Sequence, residues 1–148
     1  MTTLKPVANS PFKTGAAGSV PYSVAFSPDG KFLATANNAG GSVVGSVSLF
    51  SVKLGGALNL VGPPVPTGAF TPTSVAFSPD SSLLATANYG SHSVSVFNVT
   101  STGLTLLGPP FTTGSPNESP FSVAFRPPST LWPAGLLEIG RASCRERV

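Results

Sequence analysis

The sequence predicts an all-β fold built from repeated four-stranded antiparallel units, and three observations carry that expectation. The stretch from Pro72 to Val99, PTSVAFSPDSSLLATANYGSHSVSVFNV, occurs earlier from Pro21 to Val52 as PYSVAFSPDGKFLATANNAGGSVVGSVSLFSV, and it begins again at Pro120 as PFSVAF. Self-similarity at a period of about 50 residues marks a repeat architecture, in which each unit needs its neighbours to bury a core. The apolar runs are short and bounded by Gly, Pro, Asn and Ser, the punctuation of strands and turns. Only 9% of the 148 residues are charged, against roughly 25% in an ordinary domain, while Gly and Pro stand at 16 each. So few charges suit sheets covered on both faces.

Each element follows from its residues. Residues 1–20 are rich in Gly, Pro and Ser, and Pro11, Phe12, Thr14 and Gly15 match Pro110, Phe111, Thr113 and Gly114, so they read as the end of a preceding repeat or a linker. In the first unit, residues 21–69, Ser23 to Phe26 form a strand. Ser27-Pro28-Asp29-Gly30 closes a hairpin, because Pro presets φ, Asp bonds its own backbone and Gly accepts positive φ. Phe32 to Asn37 is the second strand, residues 38–46 a Gly-rich loop, and Val47 to Val52 the third strand, apolar on both faces. Ala57 to Val61 makes a fourth, ended by Gly62-Pro63-Pro64 and outermost, since proline is tolerated in strands only at edges.

The second unit, residues 70–119, repeats the order as Ser74–Phe77, Leu83–Asn88, Val94–Val99 and Leu104–Leu107, closed by Gly108-Pro109-Pro110. Ser81 stands where the first unit has Gly30; a left-handed backbone there costs about 1 kcal/mol. Residues 120–126 are the first strand of a third unit. Residues 127–148 depart from the repeat, and residues 138–148, EIGRASCRERV, resemble the conceptual translation of a sequencing adapter. The matched strand order predicts blades stacked face to face, with Phe26, Phe50, Phe77 and Phe97 buried. A two-unit piece would also leave faces bare and tend to associate.

Composition narrows the function. The formal charge is +3, but Arg141, Arg145 and Arg147 crowd the last eight residues; residues 1–137 carry five Lys/Arg and three Asp/Glu, a net of +2. A nucleic-acid footprint needs clustered cations, so no nucleic-acid partner is expected. No run approaches the roughly 20 apolar residues of a membrane span, and no apolar stretch of signal-peptide length follows Met1. A single cysteine, Cys144, gives no internal disulfide and no indication of compartment.

Four short antiparallel strands per unit are the pattern of one propeller blade, WD40-like in size. The motifs P-x-S-V-A-F-S-P-D, L-A-T-A-N and V-S-V-F-N-V, over residues 21–126, resemble the YVTN-type propeller repeats of bacterial lactonase-like proteins. The resemblance implies a closed ring, usually of about seven blades, of which this chain supplies two and the start of a third. It implies partners as well: the missing blades of the same propeller, and an unidentified ligand or protein.

No catalytic motif accompanies the repeat. There is no G-x-S-x-G elbow, P-loop or G-x-G-x-x-G. His92, the one histidine, lies in the Gly90-Ser91-His92-Ser93 turn and reads as a solvated turn residue rather than a base or ligand. Asp29 and Asp80 occupy equivalent turns, one acid per unit, short of the six to eight oxygens calcium wants. Asn37 and Asn88 end the second strands and either face a channel or hold a turn. Tyr22 and Tyr89, with Phe12, Phe70 and Phe111, either line a ligand surface or pack at joints. No catalytic, metal or cofactor-binding residue is assigned, and no cofactor. Two function classes follow: a non-catalytic binding or scaffold propeller, and, as the alternative, a piece of a 6-phosphogluconolactonase-like hydrolase.

Overall fold

The computed structural model describes residues 7, 10–15, 17–114 and 118–126, and the expected non-repeat tail with Cys144 lies outside them. Two antiparallel sheets follow one another along the chain. The first holds β1 (Val20–Phe26), β2 (Phe32–Asn38), β3 (Val44–Val52), β4 (Leu58–Leu60) and β5 (Val65–Phe70). The second holds β6 (Pro72–Phe77), β7 (Leu83–Asn88), β8 (Ser93–Thr100), β9 (Gly103–Leu106) and β10 (Phe111–Thr112), with a 3-10 turn at Tyr89–Ser91 before β8. The fold is a partial β-propeller, as the repeat predicts.

Three details differ from the sequence reading. Each sheet has five strands rather than four, because the outermost position is filled by two pieces in succession. β4 pairs the end of β3 (Phe50↔Leu60) and β5 pairs its beginning (Val47↔Val65); β9 and β10 divide β8 in the same way. Between the pieces, Gly62 and Gly108 have φ of 69° and 74°, and the two prolines after each have no N–H for a ladder. The strand therefore kinks and resumes. Second, β3 starts at Val44, three residues before the expected Val47, so the loop preceding it is shorter. Third, residues 120–126 are not assigned as strand, since no ladder partner for them lies among the described residues.

The core lies between the sheets. Strand alternation turns Ala34, Ala36, Val47 and Leu49 of the first blade toward Val75, Phe77, Leu84 and Phe97 of the second, in one buried cluster. The small alanines of β2 let the phenylalanines of the next blade approach closely. The far face of the second blade repeats the first half of this contact: Ala85, Ala87, Val94 and Val96 pack with Val123 and Phe125. Hydroxyls tie the inner strands in series. Ser23 Oγ accepts from the Val75 N–H at 3.2 Å, and Ser74 Oγ accepts from the Val123 N–H at 3.4 Å. Residues 120–126 thus sit where the inner strand of a third blade belongs.

Phe50, Phe77 and Phe97 are buried as expected, but Phe26 is 62% exposed. Phe26 takes the same place in β1 as Phe77 in β6, and lies on the face of the first blade turned away from the second. Among the described residues no blade covers Phe26, so the repeat position alone does not bury it.

Candidate functional site

The sheets have two ends with different chemistry. At the hairpin end, Ser27 to Lys31 and Ser78 to Ser82 build the same turn twice. Asp29 Oδ1 accepts from Ser27 Oγ at 2.6 Å and from the Lys31 N–H at 3.1 Å, while Lys31 Nζ lies 3.2 Å from Oδ2. Asp80 accepts from Ser78 Oγ, and from the Ser82 N–H and Oγ at 3.1 and 2.8 Å. The hydrogen bond from Ser27, then the one from the Lys31 backbone, pulls the Asp29 pKa down to about 2. Asp80 is lowered too, by Ser78 first and Ser82 next. Gly30 and Ser81 have φ of 70° and 63°, so the serine does carry the left-handed backbone. Its Oγ accepts from the Asp29 N–H at 3.3 Å, linking the two turns. These carboxylates are engaged in turn chemistry.

Asn37 and Asn88 are wholly buried and face neither solvent nor a channel. Asn88 Oδ1 accepts from Thr86 Oγ1 at 3.1 Å, and its Nδ2 donates to Ser95 Oγ at 2.8 Å and Ser93 Oγ at 3.3 Å. Asn37 does the same with Thr35, Ser48 and Ser46. Ser95 Oγ then donates to the Thr67 carbonyl of the preceding blade at 2.7 Å. The Asn88 knot thus carries polar bonding across the blade junction, and the Asn37 knot reaches the segment before β1 instead, where Ser48 Oγ accepts from the Gly15 N–H at 3.0 Å. Among the described residues, no buried side-chain nitrogen or oxygen lacks a partner.

The opposite end, where β5 hands over to β6 and β7 to β8, gathers different groups. Tyr89 and Phe121 meet edge to face with centroids 4.8 Å apart, while remaining 40% and 62% exposed. Phe70 is exposed beside them, and its N–H donates to Ser91 Oγ at 2.7 Å. The Tyr89 N–H donates to the Thr71 carbonyl at 2.9 Å. His92 is half-buried rather than freely solvated: its Nδ1 lies 3.0 Å from Ser119 Oγ, and its carbonyl accepts from the Thr113 N–H and Oγ1, both at 2.9 Å. Glu118 stands exposed next to this joint.

The backbone here is under tension. Thr71 and His92 have φ of 51° and 49°, a region costly for any side chain and most of all for a β-branched one. Gly90 is required by close approach, since a Cβ there would lie 2.8 Å from Thr71 Oγ1. Both inner strands also bulge after their first proline, between Pro21 and Ser23 and between Pro72 and Ser74. The bulge releases Tyr22 and Thr73 from the ladder. Phe121 stands at the same place in the third P-x-S-V-A-F. It was not among the candidate aromatics, although its match to Tyr22 in that motif was a usable signal.

Tyr22, Phe70, Tyr89 and Phe111 are thus exposed, and Phe12 is half-buried. Tyr89, Phe121 and Phe70 offer aromatic surface on the same connections as an imidazole and a hydroxyl. Such a rim can hold the carbon face of a ring-shaped ligand and bond its polar edge. Among the described residues, no three His, Cys, Asp or Glu side chains come together, and no helix is long and apolar enough to cross a membrane.

Residues 6–117 match the family described as lactonase, seven-bladed β-propeller. Among solved structures, a Lactobacillus plantarum protein is similar with a TM-score of 0.53 at 20% identity, over 71% of this chain and 30% of that one. A putative 6-phosphogluconolactonase from Bacteroides uniformis gives a TM-score of 0.52 at 26% identity, over 60% of this chain and 25% of that one. Hydrazine synthase from Kuenenia stuttgartiensis gives 0.51 at 23% identity, over 83% and 30%. The chain therefore spans between a quarter and a third of these structures. No curated protein matches it.

Proposed function

The chain belongs to the lactonase family of seven-bladed β-propellers, and on that premise we propose that it forms two consecutive blades of a propeller that, with its remaining blades, opens the ring ester of a sugar lactone. The observation that carries this reading is the rim at the strand-connection end. Tyr89 and Phe121 present ring faces and edges to a pyranose-like carbon skeleton, and His92 and Ser119, on the same connections, are there to bond hydroxyl groups. The likeness to the Bacteroides uniformis protein supports the substrate class.

In this reading the two blades bind and the ring reacts. Lactone opening needs a base or metal to activate water and convergent donors for the oxyanion. His92 already uses Nδ1 and its carbonyl to join the connections, and both turn aspartates are engaged far from the rim. The reacting groups are then contributed by other blades. Titrating the chain with a non-hydrolysable sugar lactam, followed by NMR, tests the assignment. Shifts confined to Tyr89, His92 and Phe121, lost in Tyr89→Ala, are expected, together with no acid release from 6-phosphogluconolactone above the spontaneous rate. Absence of binding at the rim would overturn it.

A second reading, a propeller that binds without reacting, draws on the same engagement of Asp29, Asp80, Asn37 and Asn88 in internal bonds. Acid release by a ring that includes this segment separates the two.

A further inference from the structure

The two blades make the same connection with positive φ by different means. Between β2 and β3, Gly40 and Gly41 have φ of 81° and 54°, a conformation glycine adopts without steric cost. Between β7 and β8 the residue at positive φ is His92, at 49°, which ends the 3-10 turn with its N–H 3.4 Å from the Tyr89 carbonyl. A side chain makes this backbone costly. What the imidazole contacts must offset that cost.

The neighbours of His92 both hold its conformation and use its ring. Its carbonyl accepts from the Thr113 N–H and Oγ1, both at 2.9 Å, and its Nδ1 lies 3.0 Å from Ser119 Oγ. Strained residues persist where their surroundings over-determine them in this way. Ser119 is followed by buried Pro120, whose fixed φ passes the position of Ser119 on to Phe121. At the other end of the connection, the Tyr89 N–H donates to the Thr71 carbonyl at 2.9 Å. The path from Tyr89 to His92, across to Ser119 and on to Phe121, thus begins and ends at the two rings, which meet with centroids 4.8 Å apart. Thr73 Oγ1 donates separately to the Phe121 carbonyl at 3.1 Å, so the inner segment stays on the second blade without help from His92.

We propose that His92 is a positioning residue for ligand binding: its imidazole, presented by left-handed backbone, sets Ser119 and hence Phe121 so that Tyr89 and Phe121 make one rigid aromatic clamp. The identity of the ligand rests on the rim being a sugar-lactone site; the geometry of the clamp does not. Asparagine is the conservative replacement, since it tolerates left-handed backbone and its side-chain amide puts a polar atom where Nδ1 stands. Glycine keeps the backbone and removes the ring.

The chain has two tyrosines, and exposed Tyr22 serves as the reference for Tyr89. With tyrosine isotope-labelled for NMR, the ring current of Phe121 should displace the Tyr89 ring resonances, and Phe121→Leu identifies them by abolishing the displacement. His92→Gly should abolish it as well, with a melting temperature level or higher, and should weaken binding of the sugar lactam about three- to tenfold. Ser119→Ala should match His92→Gly in the displacement. His92→Asn should keep the displacement and bind within about twofold of the parent chain. Displacement that survives His92→Gly overturns the proposal, as does its loss in His92→Asn. So does displacement lost together with a fall in melting temperature, the mark of a residue that only holds the fold. The expected pattern in a chain that binds no lactam supports the positioning role and overturns the lactone reading.

Discussion

Phe26 and Phe77 offer a comparison in which chemistry, strand position and repeat context are matched and only the neighbour differs. A phenylalanine side chain presents on the order of 200 Å². The change from 62% exposed at Phe26 to 8% at Phe77 therefore represents roughly 110 Å² of additional burial. At about 25 cal/mol per Å² that is about 3 kcal/mol, and the cavity left beneath Phe77 adds to it. Phe77→Ala should cost about 3–5 kcal/mol and Phe26→Ala about 1 kcal/mol. The assay is urea unfolding by circular dichroism at low micromolar concentration, comparing midpoints at unchanged slope. Equal costs for the two substitutions would refute the argument that the blade junction, and not the strand, buries this position.

Other outcomes follow from single contacts. A Cβ at Gly45 would fall on the ring of buried Pro72, so Gly45→Ala should destabilise by about 1–3 kcal/mol in the same unfolding assay. Asn88→Ala leaves Thr86 Oγ1 without its acceptor and Ser95 Oγ without its donor; a loss of about 2–4 kcal/mol is expected, and one under ~1 kcal/mol would mean the knot is not structural. Asp29 and Asp80 have folded pKa values below the ordinary 3.8, so their contribution is present above that value and is lost as pH falls toward about 2. Unfolding midpoints measured across that interval should drop less steeply in Asp29→Asn. Ser81→Gly removes left-handed strain at the loss of one exposed hydrogen bond, and its melting temperature should stay level or rise.

The strands were legible because apolar residues alternate between punctuating turns, and the repeat supplied a second reading of each. The Ser-Pro-Asp turn was legible down to the left-handed fourth position that follows it, Gly30 in one unit and Ser81 in the other. The resumption of the outer strand was not: Val65-Pro66-Thr67-Gly68 has loop composition, and it is strand only because its proline lies at the sheet margin. The exposure of Phe26 was missed because a repeat assigns one environment to every copy, whereas burial depends on what stands alongside. The rim was legible only in part. Tyr89 and Phe70 stood out as aromatics, but the joining of His92 to Ser119 spans 27 residues and has no local pattern.

The broken outer strand also bears on how these molecules meet one another. An ordinary sheet margin offers a continuous row of N–H and C=O groups on which a foreign strand can grow, the first step toward fibrils. Here Pro63, Pro64 and Pro66 interrupt the donors along one blade and Pro109 and Pro110 along the other, and the kink at Gly62 and Gly108 bends the row out of line. Growth of the sheets along that outer margin is therefore blocked, and concentrated solutions should leave thioflavin dark.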